Sequence, residues 1–226
     1  MSKNRAATHR QPIMLWMAAL VAALALSATG ESGWACATGA KPSRYPPSTV
    51  FSSPSPALAD FILIDQDGAP FTRAELQGRW TFLYFGYMFC PDACPLTLAE
   101  LAKTRRKLMA QGVDGDIAYR FVSVDPARDT PAGLKQYVAS FDPRFGAATG
   151  ARGEIDRLTA QLGVYYQINK PEENKDYYFV DHSSSVILIN PDARLQAVLN
   201  PPHGPQQLAE DFLKIRDYYL RQGSSP

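Results

Sequence analysis

Tyr84-Phe85-Gly86-Tyr87-Met88-Phe89-Cys90-Pro91-Asp92-Ala93-Cys94-Pro95 is the stretch whose reading decides the fold. It closes an apolar, aromatic-rich run from Trp80 to Gly86, which predicts a buried strand of a mixed or parallel sheet. After the second cysteine, Leu98, Leu101, Arg105 and Leu108 recur at helical spacing, with Lys103, Arg106 and Lys107 on the other face. Pro95 suits the first turn of that helix, where a missing N–H is no loss. Cys90 therefore falls in a strand-to-helix turn and Cys94 in the first helical turn. Unpaired N–H groups and the helix dipole favour thiolate there. A plain disulfide or two inert buried thiols is the alternative.

Composition narrows the rest. The chain has 226 residues, 46% hydrophobic and 20% charged, with net charge +1. That fits one ordinary domain with extra segments, and a charge this balanced argues against nucleic acid as a partner. Cys36, Cys90 and Cys94 are too few and too unevenly spaced for a disulfide scaffold.

Residues 1–12 read as a basic cytoplasmic tail and 13–30 as a transmembrane anchor or signal segment. Lys3, Arg5 and Arg10 precede a run from Ile13 to Ala28 that carries no charge. As a helix at ~1.5 Å per residue this run spans roughly 24 Å, against a hydrocarbon core of about 30 Å. An uncleaved single-pass anchor is the reading taken; cleavage after Ala28 and lipidation at Cys36 are the alternatives. The basic flank puts everything after Gly30 outside the cytoplasm, at the inner membrane and facing the periplasm or another extracytoplasmic space. Residues 31–57, rich in proline and serine, read as an extended linker.

Residues 58–222 read as the folded domain. Phe61-Ile62-Leu63-Ile64 predicts a strand ahead of the motif strand, and Ile117 to Val124 another after the first helix. Asp129 or Thr130 caps a helix that starts at Pro131 and runs to about Ser140; a third helix runs from about Gly153 to Leu162, stopped by Gly163. Val164–Ile168 with Tyr177–Val180, and Ser185–Asn190 with Leu195–Leu199, predict two hairpins. Pro205 to about Leu220 closes the chain as a helix with Leu208, Phe212, Ile215 and Tyr219 on one face. This order predicts an α/β, thioredoxin-like sandwich with an inserted hairpin.

Two thiols alone do not separate redox from metal chemistry. Three residues lie between the cysteines, rather than the two of thioredoxin-type motifs, and the wider spacing suits two ligands on one soft ion. Of the three histidines, His9 lies in the N-terminal tail, and His203, among helix breakers, reads as surface or capping. His182 lies just before the penultimate strand, a junction that faces the cysteine turn in a thioredoxin-like sheet. No proline stands between Pro171 and Pro191, so the cis-proline that receives substrate in thioredoxins is missing there. Two thiolates and an imidazole suit Cu(I), Cu(II) or zinc. Structural zinc takes a fourth protein ligand, and none stands nearby. The set therefore favours copper.

The runs Tyr84-Phe85-Gly86-Tyr87, Cys90-Pro91-Asp92 with Cys94-Pro95, Ser123-Val124-Asp125-Pro126 with Arg128-Asp129-Thr130-Pro131, and Asp181-His182-Ser183 resemble the Sco/SenC family over roughly residues 58–222. The resemblance implies a membrane-anchored, thioredoxin-like protein that binds one copper ion, Cu(I) or Cu(II), through Cys90, Cys94 and His182. It implies a role at the binuclear copper site of cytochrome c oxidase subunit II, as metallochaperone or as reductant of that site's cysteines. A periplasmic copper carrier or a thiol reductant is the implied further partner. An extracytoplasmic thiol–disulfide oxidoreductase, with Cys90 and Cys94 as its redox pair and no metal delivery, is the alternative function. A peroxidase of the peroxiredoxin type fits less well, because Tyr87 stands where such a site has threonine or serine. Met88, Ala93, Leu96 and Ala193 depart from the family pattern, Ala193 at a hairpin turn that normally holds glycine. Met88 reads as core packing, with a weak thioether contact to copper as the other option. Asp125, Arg128 and Asp129 are expected to fix the loop beside the site.

Overall fold

The structure is a computed structural model that describes residues 48–51, 55–171 and 177–223. Residues 1–47, with the expected tail, the anchor, His9 and Cys36, lie outside the described residues. No helix among the described residues is long and apolar enough to cross a membrane.

The motif strand is the centre of an eight-stranded sheet. In chain order the strands are β1 (Thr49–Val50), β2 (Ile62–Asp65), β3 (Pro70–Thr72), β4 (Trp80–Gly86), β5 (Ile117–Ser123), β6 (Gly146–Thr149), β7 (Tyr166–Asn169), β8 (Phe179–His182), β9 (Val186–Ile189) and β10 (Leu195–Leu199). The sheet order is β1-β10-β9-β4-β5-β6-β2-β3, while β7 and β8 form a separate antiparallel ribbon, the inserted hairpin. β4, β5 and β6 run parallel, and β9 pairs antiparallel with β4. The helices are α1 (Ala93–Ala110), α2 (Pro131–Ala139), α3 (Arg152–Leu162) and α4 (Pro205–Gly223).

All seven residues of β4 are buried, as a strand covered on both faces must be. Trp80, Phe82 and Tyr84 point into a core closed by α1, α2 and α4; Leu83 and Phe85 point into a second core closed by α3 and the β7–β8 ribbon. Two-residue periodicity thus sends the cysteine helix to one side of the sheet and the histidine ribbon to the other. They meet only past the end of β4, where the strand stops at Gly86.

Several details differ from the sequence expectations. The linker reading of 31–57 gives way at its C-terminal end, because Thr49–Val50 pairs with Val198–Ala197 as an edge strand. Ser55 Oγ also donates to the Leu195 carbonyl at 2.5 Å, and Ala57 bridges Arg194. Proline and serine composition masked this edge, which needs few side-chain contacts. β6 has no counterpart among the expected strands, since Gly-Ala-Ala-Thr lacks both alternation and β-branched bulk. Its Gly146 leaves room for Arg120: a Cβ there would lie 1.5 Å from Arg120 Nη1, so the guanidinium would have to move. The first hairpin pairs about two residues later than expected, Tyr166 opposite His182. At the second hairpin, Ala193 adopts a left-handed backbone with φ 54°, where alanine costs ~1–2 kcal/mol relative to glycine. Asn190 Oδ1 accepts the N–H groups of Asp192 and Arg194 and holds this turn.

Candidate metal centre

The site begins with a helix N-terminus that lacks a conventional cap. Asp92 occupies the N-cap position of α1, but its side chain accepts no capping hydrogen bond. Instead the Cys94 N–H donates to Cys90 Sγ at 3.4 Å. The first sulfur thus takes the place of a capping oxygen, and the helix end favours negative charge on it.

Cys90 is half-buried and Cys94 is fully buried, and no disulfide joins them. Their acidities are pushed apart. The Cys94 thiol, donating to Cys90, holds the Cys90 thiol well below its ordinary range, helped by the N–H groups of Asp92 and Cys94. Burial, then the neighbouring Cys90 sulfur, pushes Cys94 up. The reduced pair shares one proton, with the charge on the more exposed sulfur.

His182, the last residue of β8, brings its Nε2 to 3.3 Å from Cys94 Sγ. Its Nδ1 lies 3.1 Å from the Ser183 carbonyl, which can only accept, so the proton is assigned to Nδ1. That leaves the Nε2 lone pair facing the sulfurs, the tautomer a metal ligand needs. The rings of Tyr84 and Tyr87 stand edge-on to the imidazole at centroid distances of 6.1 and 5.9 Å. The donor atoms of Cys90, Cys94 and His182 all lie within 4.8 Å of one another, the only such three-residue cluster among the described residues.

The Ser123–Pro131 segment braces both halves of the site. Asp129 Oδ2 accepts the Met88 N–H at 3.0 Å and the Ser123 hydroxyl at 2.6 Å, fixing the chain that leads into Cys90. Burial pushes Asp129 up to about 6, against the pull of those hydrogen bonds. Asp125 serves the other half: it takes Arg128 Nε at 2.5 Å and the Tyr178 hydroxyl at 2.7 Å. Arg128 Nη1 donates to the Tyr178 carbonyl at 3.0 Å, and its guanidinium lies 3.5 Å from the Tyr178 ring centroid. Tyr178 immediately precedes β8, so this brace orients the strand that ends in His182. Thr130, not Asp129, caps α2 through the Gly133 N–H.

Two candidates turn out otherwise than expected or keep their plainer role. His203 is buried, not at the surface, and its Nε2 donates to the Ser184 carbonyl at 2.7 Å. It ties the turn before α4 to the segment after His182 and is not part of the cluster. Met88 packs over α2, its Cε 3.0 Å from where a Cβ on Gly133 would sit, which is core packing.

Gly86 and Tyr178 are the contributors that sequence reasoning passed over. A Cβ on Gly86 would lie 2.4 Å from Cys94 Sγ and 2.9 Å from Phe121 Cε2, so the buried sulfur occupies the space a side chain would fill. An isolated glycine inside an otherwise bulky strand is the available signal for such a close approach. Tyr178 carries no comparable signal, because its partners are distant in sequence.

A thioredoxin-like α/β domain whose cysteine turn is met by a histidine from a separate ribbon defines a class: dithiol proteins with a soft, three-donor site. The SCO1/SenC family model matches residues 52–217, and the chain belongs to that family. It is 35% identical over 153 residues to the mitochondrial SCO2 homolog of Mus musculus, covering 68% of this chain and 60% of that protein. Thus the match spans less than two thirds of that relative's length. Among solved structures, copper-bound ScoI of Arabidopsis thaliana superposes with TM-score 0.65 at 34% identity, covering 74% of this chain and 99% of the other. Copper-bound yeast Sco1 superposes with TM-score 0.68 at 28% identity, covering 76% of this chain and 96% of the other.

Proposed function

We propose that the chain is a copper metallochaperone that holds one copper ion, Cu(I) or Cu(II), on Cys90, Cys94 and His182. The observation that carries this reading is the meeting of Nε2 with the sulfur pair, in the tautomer that leaves its lone pair free. Two thiolates and one imidazole match the preferences of Cu(I), and the imidazole also serves Cu(II). The relatives solved with copper bound support the choice of metal. Three protein donors, two of them half-buried, leave the ion accessible to a competing ligand set, as delivery requires. The recipient is the binuclear copper site of cytochrome c oxidase subunit II. Residues 13–30 anchor the chain in the inner membrane, 1–12 stay cytoplasmic, and 31–47 carry the domain on its extracytoplasmic side. A periplasmic copper carrier or thiol reductant acts upstream, since the thiols must be reduced before Cu(I) binds.

Equilibrium dialysis of the reduced protein tests this directly. One copper per chain is expected for the wild type, with binding lost in Cys90→Ala and Cys94→Ala and sharply weakened in His182→Ala. Tight stoichiometric copper on His182→Ala would overturn the three-ligand site.

A second reading, a thiol–disulfide oxidoreductase, draws on the asymmetry of the pair. Cys90 is the ionised, more exposed sulfur and Cys94 the buried one, an arrangement of attacking and resolving thiols. It predicts exchange with a subunit II cysteine peptide that survives His182→Ala and vanishes in either cysteine variant.

A further inference from the structure

The strand β4 buries aromatic side chains along its whole length, yet only one of those facing α1 near the site carries a hydroxyl against a sulfur. Tyr84 is 0% exposed, and its hydroxyl lies 3.9 Å from Cys94 Sγ, within reach of an O–H···S hydrogen bond. Thr97, one turn further along α1 and also buried, pulls the pKa of the same phenol down against the larger upward push of burial. A phenylalanine would fill this space without the cost of burying a hydroxyl, as Phe82 and Phe85 do nearby. The hydroxyl therefore has a use beyond packing, and the sulfur it faces is the ligand fully removed from water.

We propose that Tyr84 is a tuning residue: its O–H donates to the Cys94 thiolate and sets the balance between Cu(I) and Cu(II) at the site. This rests on the copper reading above. A hydrogen bond to a thiolate withdraws electron density from sulfur, which favours the more electron-rich, reduced metal. Thr97, which lowers the pKa of the phenol, acts in the same direction by favouring donation from the O–H to the sulfur.

The test is Tyr84→Phe in the full chain, loaded with Cu(II), with the thermal melt of the metal-free protein recorded beside it. One copper per chain is expected to remain. The thiolate-to-Cu(II) charge-transfer band moves to longer wavelength, and the ratio of Cu(I) to Cu(II) affinity falls roughly tenfold, which for one electron is ~59 mV in potential. Thr97→Val moves both in the same direction by less. A purely structural tyrosine would shift the melt and leave band and potential alone, and that result overturns the proposal. Should Tyr84→Phe fail to fold, an unmoved band and potential in Thr97→Val overturn it equally. Absence of copper binding by the wild type would instead refute the underlying metal site.

Discussion

Cys90 and Cys94 have the same chemistry and opposite surroundings, and single atoms around them decide what each can do. Cys94 fits because Gly86 has no side chain. Gly86→Ala would drive a Cβ into Cys94 Sγ and Phe121, both held by packed elements. It is expected to cost about 1–3 kcal/mol of stability by overpacking and to abolish stoichiometric copper binding, as read by urea denaturation and dialysis. Gly153→Ala on α3, where a Cβ meets nothing within 4 Å, is the control and should leave both intact. Asp129 gives a prediction in pH. Its carboxyl titrates near 6 in the fold and at about 3.8 when free, so the folded state holds the proton more tightly. The resulting stabilisation is complete below about 3.8 and is lost as pH rises through about 6, on the order of 3 kcal/mol by linkage. Asp129→Asn should remove this component: stability of the variant relative to wild type, measured by denaturation, improves between pH 4 and pH 7. A difference that does not change with pH would show that burial does not perturb this carboxyl.

Between elements, the decisive arrangement is the brace from the loop after β5 to the β7–β8 ribbon. Asp125, Arg128 and Tyr178 hold the ribbon by hydrogen bonds and a cation–π contact, while Asp129 holds the cysteine turn. One loop therefore sets the distance between the sulfurs and the imidazole, which come from opposite faces of the sheet. Tyr178→Phe removes only the hydroxyl on Asp125 and should weaken copper affinity roughly 10- to 100-fold, the usual range for groups that orient ligands. Iodoacetamide labelling of Cys90 should stay near wild-type rate, because the cysteine turn keeps its own support. Equal loss of affinity and of thiol reactivity would mean that the brace acts on the whole site rather than on the histidine. The motif residues of this loop were visible in the sequence as a group. Their division of labour was not, since Tyr178 lies 53 residues from Asp125.

For the whole molecule, the edge strand β1 extends the domain beyond the boundary expected at residue 58. A chain starting at Leu58 loses the pairing with β10, the Ser55 hydroxyl bond to Leu195 and the Arg194 bond to the Ser55 carbonyl. With at least three bonds lost, at about 1 kcal/mol for each net hydrogen bond and 2–4 °C for each kcal/mol, it should melt roughly 6–12 °C below a chain starting at Ser48. Equal melting temperatures would return these residues to the linker.

Local pattern was enough to read β4, α1, the capped start of α2, the Gly163 stop and the pair of thiols on a strand–helix turn. These depend on periodicity, capping chemistry and side-chain volume within a few residues, all of which a linear sequence records. It was also enough to single out His182, through the order of elements around it. Tertiary structure alone decided the tautomer of that imidazole, the burial of one sulfur and partial exposure of the other, the room left by Gly86, and the inward turn of His203. It also decided that β1 and β6 are strands. Those outcomes depend on which distant groups share a few ångströms, and hydrogen bonding and desolvation act on that distance, not on separation along the chain.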